Sequence, residues 1–184
     1  MSEIYEPSED SYLMSLTLEK EIPKLLYKNN KLKFLEIGSG SGINLQKAKF
    51  LGITEKNIFS IDINSEAVEY CKKLGFNCVK SNLFERVSGE YDLIIFNPPY
   101  LPEDKSGLES KESKIATTGG KKGNEIIIKF LKQAKSYLNK QGKIFVLTSS
   151  LTPKIDFLKL GYKSKIIQEK KLFYEKLFIW ELVV

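Results

Sequence analysis

The chain has 184 residues, 42% hydrophobic and 28% charged, with 29 Lys+Arg against 23 Asp+Glu and a formal net charge of +6. This is the size and balance of one soluble globular domain with a sizeable core, and no apolar run approaches the roughly 18 residues a membrane span needs. Histidine is absent, and Cys71 and Cys78 do not form a Cys-x-x-Cys pair, which excludes a Cys/His zinc site, a His-based triad and a His general base.

No metal centre is therefore expected, and the chemistry falls to a cofactor, amides, carboxylates, tyrosines or lysines. Arg86 is the only arginine. The lysine surplus permits an anionic partner, but bidentate arginine readers of bases are nearly missing. Residues 1–7 are acidic and carry no apolar leader core, so a cytoplasmic location is expected.

A first helix is expected after Pro7, with Ser8 as its cap and Glu9 and Asp10 in its first turn. Tyr12, Leu13, Leu16 and Leu18 supply its apolar positions, and Pro23 is expected to break or restart it. A strand over 33–37 runs straight into Gly38-Ser39-Gly40-Ser41-Gly42, and a helix over 43–51 follows. Alternate glycines allow a tight turn and a close approach of backbone to ligand. A second strand, 58–61, ends at Asp62, which stands 20 residues past Gly42. A carboxylate at that place can accept both hydroxyls of a ribose. The last glycine comes one place earlier than in the dinucleotide fingerprint. The loop thus leans toward a nucleoside joined to an amino acid, with NAD still open.

Ile63 follows as a residue able to flank a purine ring, or to pack in the core. A helix over 65–74 and a strand over 76–80 lead to Ser81-Asn82-Leu83-Phe84, where the Asn82 amide can meet an adenine. The next strand, 91–96, stops at Asn97-Pro98-Pro99-Tyr100 because neither proline offers an N–H to a ladder. In open α/β sheets that carboxyl edge is where ligands bind. Residues 101–123 form a long, glycine-bearing basic loop, of the kind that binds or covers something. A helix from Glu125 to about 138, a strand over 143–148, a short helix over 153–160 and two final strands complete the chain. The last two, adjacent in sequence, read as an antiparallel hairpin at a sheet edge, with Lys170, Lys171 and Tyr174 in its turn.

Together, Gly38-Ser-Gly-Ser-Gly42, Asp62-Ile63-Asn64, Ser81-Asn82-Leu83-Phe84 and Asn97-Pro98-Pro99-Tyr100 resemble the class I S-adenosylmethionine-dependent methyltransferases. More narrowly, the chain resembles the HemK/PrmC family of protein-glutamine methyltransferases. Tyr5-Glu6-Pro7-Ser8-Glu9-Asp10-Ser11 and Gly119-Gly120-x-x-Gly123-x-Glu125 are similar to its archaeal and eukaryotic type. The likeness implies a Rossmann-like α/β fold: a seven-stranded, mostly parallel sheet with an antiparallel edge hairpin. It implies one domain over 1–184, with segment 1–30 completing the cofactor pocket and loop 101–124 serving the substrate. S-adenosyl-L-methionine would be held by Ser11, Glu36, Gly38, Gly40, Gly42, Asp62, Ile63, Asn82, Leu83 and Asn97. Asn97, Pro98, Pro99 and Tyr100 would hold the acceptor, with Asn97, Pro98 and Tyr100 catalytic. The family commonly has Asp at position 82 and Arg at position 124, and this chain has Asn at both.

The implied acceptor is the glutamine amide of a Gly-Gly-Gln motif in a peptide chain release factor. The implied partner is a small zinc-binding activator protein forming a heterodimer. The chemistry of Asn-Pro-Pro-Tyr also fits an exocyclic amine of adenine or guanine in RNA or DNA. Each is a planar nitrogen with a delocalised lone pair, which hydrogen-bond acceptors can orient toward an activated methyl group.

Overall fold

The structure, a computed structural model, describes residues 4–102 and 118–184. Its helices are α1 Glu9–Lys28, α2 Ile43–Phe50, α3 Ser65–Lys73 and α4 Glu125–Ala134. The strands are β1 Phe34–Ile37, β2 Ile58–Asp62, β3 Asn77–Lys80, β4 Tyr91–Phe96, β5 Leu138–Ser149, β6 Lys163–Lys171 and β7 Lys176–Val183. One seven-stranded sheet has the order β3-β2-β1-β4-β5-β7-β6. The pairs from β3 through β5 are parallel, and β7 pairs antiparallel with both β5 and β6.

The central strands are apolar at successive positions because both faces of the sheet are covered. Phe34, Ile58, Leu93, Ile95, Phe145 and Leu147 pack with Leu13, Met14, Leu18 and Ile22 of α1, and with residues of α2 and α3. Leu35, Ile37, Ile94, Phe96, Ile144 and Val146 face Ile127, Phe130, Leu131 and Ala134 of α4. Phe130 lies between Phe84 and Phe96, with ring centroids 5.6 and 4.8 Å away. Removing such a ring from a closed core costs about 3–5 kcal/mol.

β1 and β4 lie side by side at the centre, with Ile37 opposite Phe96. From β1 the chain winds outward to β2 and β3, whereas β4 leads to β5 on the other side. This reversal opens a crevice at the carboxyl ends of β1 and β4. The loop at Gly38 and the Asn97-Pro98-Pro99 rim therefore meet there.

Several expectations change. Pro23 does not break α1. Glu19, whose carbonyl loses its partner, is exposed, so water can satisfy it. Ser8 makes no side-chain cap. Leu13 and Leu18 are buried as expected, but Tyr12 and Leu16 face solvent. α4 stops at Ala134, and Leu138 already belongs to β5. The expected helix over 153–160 is only a turn, closed by Leu160 N–H to Asp156 O and Tyr162 N–H to Phe157 O and ended at Gly161, φ +79°. Lys170 and Lys171 belong to β6, so the hairpin turn is 172–175.

Candidate active site

A cavity of about 640 Å³ fills the crevice, within the range of small-molecule and cofactor sites. The sequence makes its floor by ending β1 in a run that places glycine where the backbone turns left-handed. Gly38 and Gly40 have φ of +74° and +48°, in the left-handed region that a Cβ disfavours. Asp62, at the end of β2, holds this loop: its Oδ2 accepts the Gly40 N–H at 2.9 Å and the Ser39 hydroxyl at 3.4 Å. Its Oδ1 accepts the Asn64 N–H at 2.8 Å. Burial pushes the Asp62 carboxyl up, and these donors pull it partly back. The thiol of Cys71 donates to Gly40 O from beneath, at 3.7 Å.

Glu36 lies in β1 and is 2% exposed. Its Oε1 accepts from Asn44 Nδ2 at 2.9 Å, while its Oε2 has no partner. Burial raises this carboxyl well above its ordinary range, against the Asn44 bond, and the neighbouring charges of Asp62 and Cys78 add to the rise. Asn44 Oδ1 is also buried without a partner. Both residues line the cavity. Two orphaned buried acceptors are costly unless a ligand donor meets them, and an α-ammonium group supplies such donors.

Of the expected cofactor residues, Ser11, Glu36, Gly38, Gly40, Asp62, Ile63, Asn82, Leu83 and Asn97 all line this cavity. Ser11 arrives on α1, where its N–H and hydroxyl both point at Asp10 Oδ1. Ile63 presents an exposed apolar side chain, a fitting surface for a purine face. Asn82 donates to Glu85 Oε1 at 2.9 Å. Leu83, φ +52°, is the one non-glycine residue in the left-handed region among those described; such strain collects at ligand sites. These residues suit an adenosine at one end and an amino-acid cation at the other, as in S-adenosylmethionine.

Gly42 departs from the expectation and stands outside the cavity. A Cβ on it would lie 3.2 Å from Cys71 Sγ and 3.3 Å from Leu74 Cδ1. Its role is to let α2 begin hard against α3, at φ +72°. Tyr100 also lies outside the lining, although Pro98 and Pro99 are in it. Its half-buried ring packs against both core clusters. Burial and the charges of Asp10 and Glu175 push its phenol up, so it stays protonated.

On the acceptor side, Asn97 Oδ1 is buried and makes no hydrogen bond. The returning chain packs on this rim. Leu101 bridges to Thr118, and the Gly119 N–H donates to Leu101 O at 2.8 Å. A Cβ on Gly119 would meet Pro99 O at 2.6 Å, and one on Gly123 would meet Tyr100 O at 2.7 Å. The Glu125 carboxylate accepts N–H groups from Lys122, Gly123 and Asn124, which fixes the turn entering α4. Asn124 itself reaches Pro153 O at 3.4 Å. The rest of the expected substrate loop, 103–117, lies outside the described residues.

Among the cavity residues given no site role from the sequence are Tyr5, Asp10, Asn44 and Lys129. The Tyr5 hydroxyl donates to Asp10 Oδ2 at 2.9 Å, which ties the chain before α1 to its first turn. Asp10 had looked like a dipole-neutralising acid, and no local pattern distinguishes that from a cavity wall. Asn44 meets Glu36 only through the fold. Among the described residues no group of His, Cys, Asp and Glu is placed to hold a metal, and no helix is long and apolar enough to cross a membrane.

The family profile described as methyltransferase small domain matches residues 18–174. The chain belongs to that family. This methyltransferase is 37% identical to a Methanocaldococcus jannaschii protein named as a protein N5-glutamine methyltransferase, over 98% of this chain and 93% of that one. It is 29% identical to methyltransferase HEMK2 of Homo sapiens, over 91% and 81% of the two chains. Among solved structures, its fold matches the E. cuniculi Mtq2–Trm112 complex, described as responsible for methylation of the eRF1 translation termination factor. There the TM-score is 0.72 and the identity 24%, over 99% of this chain and 98% of that one.

Proposed function

We propose that this methyltransferase transfers the methyl group of S-adenosylmethionine to the side-chain amide nitrogen of the glutamine in a Gly-Gly-Gln motif of a peptide chain release factor. The names of the M. jannaschii and E. cuniculi relatives support this acceptor. The observation that carries the reading is the buried, unpartnered Asn97 Oδ1 beside the cofactor-sized cavity. An acceptor atom left without a donor at that place calls for a ligand N–H.

Bound S-adenosylmethionine supplies a methyl group already activated on a sulfonium. The protein's task is to bring up an amide nitrogen whose lone pair is spread into its carbonyl. In this proposal Asn97 Oδ1 accepts one N–H of the amide and the Pro98 carbonyl accepts the other. That aims the nitrogen and stabilises the positive charge that grows on it. Tyr100, packed outside the cavity lining, supports the Asn97-Pro98-Pro99 rim from behind. Proton loss follows transfer, so a chain without histidine lacks nothing essential. Glu36 would hold the amino-acid cation, Asp62 the ribose and Asn82 the adenine, with Ile63 and Leu83 against the ring.

The proposal extends to location and assembly. Residues 1–184 act as one domain in the cytoplasm, with 1–30 closing the cofactor pocket and 101–124 serving the substrate. A small zinc-binding activator protein forms a heterodimer with the chain; the E. cuniculi Mtq2–Trm112 complex supports the pairing with a second protein.

A second reading, methylation of an exocyclic amine of adenine or guanine in nucleic acid, has one observation in its favour: Lys121 and Lys129 line the same cavity. Labelled S-adenosylmethionine offered with a release factor, or with total RNA and DNA, separates the two. Label is expected in the factor and lost when its Gly-Gly-Gln glutamine becomes alanine. Label that survives this change, or that appears only in nucleic acid, refutes the glutamine reading.

A further inference from the structure

The turn between β6 and β7 carries an exposed pair of aromatic residues. Phe173 is 90% and Tyr174 86% exposed, and their rings meet edge to face with centroids 4.6 Å apart. Scattered apolar residues on a surface need no explanation. A paired Phe and Tyr on a hairpin tip is different, since such rings carry large contact area at low entropy cost.

The tip is firmly held. The Leu172 N–H donates to Glu175 O at 2.8 Å, and Leu172 packs against the core. Lys170 pairs with Glu9 at the start of α1, and the Ser149 hydroxyl donates to the Glu175 carboxylate. Lys176 and Ser150 exchange further hydrogen bonds, with Lys176 N–H on Ser150 Oγ at 3.0 Å. Ordering the tip on binding would therefore cost little.

Its position says what should meet it. Ser149, which holds Glu175, ends β5 beside the rim, since Val146 of β5 pairs with Phe96, the residue before Asn97. Lys170 meets Glu9, the neighbour of cavity-lining Asp10, and Leu172 and Tyr100 pack against the same core. The turn thus stands at the sheet edge that carries the acceptor rim. A protein that inserts one side chain at that rim must bring the surface around its own insertion against the tip. A short peptide has no such surface.

We propose that Phe173 and Tyr174 form a docking site, outside the cavity, for the body of the protein that carries the acceptor side chain. The site takes an apolar patch on that protein. The inference rests on the acceptor being a protein, as in the proposed function.

The test compares the wild type with a Phe173→Ser/Tyr174→Ser variant on an intact release factor and on a short Gly-Gly-Gln peptide. Both residues are exposed, so thermal stability and affinity for S-adenosylhomocysteine should not change. KM for the intact factor is expected to rise about 10- to 100-fold, the range of an interface hot spot. KM for the peptide should stay the same, and Tyr174→Phe should retain most of the docking. Direct binding of an intact factor whose acceptor glutamine is alanine should weaken by the same factor, which serves also if the peptide turns over too slowly to measure. Unchanged KM and binding for the intact factor, or an equal loss for factor and peptide, overturns the docking role. Loss of affinity for a Trm112-type partner with unchanged factor KM gives the tip to that partner and also overturns it. A wild-type enzyme that labels the intact nucleic acid fraction but no release factor refutes the functional reading itself, and the docking site with it.

Discussion

Asp62 Oδ2 accepts the backbone N–H of Gly40 at 2.9 Å, so the end of β2 holds the glycine loop that leaves β1. The carboxylate proposed for the ribose is thus already at work without it. In the proposed function, holding the loop and holding the ligand are coupled in this single side chain.

Replacing Asp62 should therefore do two things. Asp62→Ala removes the charged acceptor and frees the Gly40 and Asn64 N–H groups, so cofactor affinity is expected to fall about 10- to 100-fold, the value of one to two charge-assisted hydrogen bonds. Asp62→Asn keeps one oxygen for the loop and should fall less. Calorimetric titration with S-adenosylhomocysteine measures both, and equal affinity in wild type and Asp62→Ala would remove the residue from the site.

Asn97→Ala should separate binding from turnover. Turnover is expected to drop about 100- to 1,000-fold, the usual loss when one preorganised polar contact to a developing charge is removed. Cofactor affinity should stay close to that of the wild type, because most of the contacts proposed for the cofactor lie on β1, β2 and the 3₁₀ turn at Leu83–Arg86. A parallel loss of both would show that Asn97 serves the pocket's shape instead of the acceptor.

The buried carboxyls predict a pH dependence of stability. Glu36 and Asp62 are both raised, each chiefly by burial. The folded protein therefore keeps protons that the unfolded chain gives up. Their contribution is fully present below the ordinary carboxylate range and is lost as pH rises through the raised values. Melting curves of the cofactor-free protein, taken from about pH 5 to about pH 9, should show stability falling with pH. Glu36→Gln removes the titrating group and should flatten part of that fall. A cationic ligand favours ionised Glu36, so cofactor affinity should rise with pH in the wild type and less in the variant.

Gly123→Ala tests the seam between the rim and the chain entering α4. The added Cβ would stand 2.7 Å from Tyr100 O and 2.9 Å from Pro102 N, at φ +95°. Left-handed strain alone costs about 1–3 kcal/mol, and the contact forces the rim or the turn to move. Acceptor KM is expected to rise severalfold with a lowered melting temperature, while cofactor affinity changes little. An unaffected acceptor KM would mean that the seam does not position the rim.

The parts legible in the sequence are those where local chemistry leaves little choice. Apolar runs such as Leu93 to Phe96 demand burial on both faces, and two prolines after Asn97 must end a strand. The glycine loop and Asp62 are legible for the same reason, since backbone geometry and spacing bring them to one sheet edge. What stayed hidden depends on approach through space. Gly42 looks like its neighbours Gly38 and Gly40, but it faces α3 and not the cavity. Pro23 reads as a helix break, yet the carbonyl it orphans can reach water. Asn44 and Asp10 carry no pattern that separates a cavity wall from a helix surface. Asn97 itself is legible, but that its Oδ1 lacks a partner depends on which donors the fold brings near it.

The sheet order has a consequence for how the chain is made. β7 is made after the other six strands of the sheet but lies between β5 and β6, where Leu177, Ile179 and Leu182 are fully buried. Until it arrives, β5 offers a long unpaired edge bearing Ile144, Val146 and Leu147. Such an edge is a template for pairing with other chains. Synthesis halted before Lys176 would leave a product with the residues of both motif loops already made and the sheet still open, and its fate would be set by aggregation or proteolysis before any ligand could rescue it.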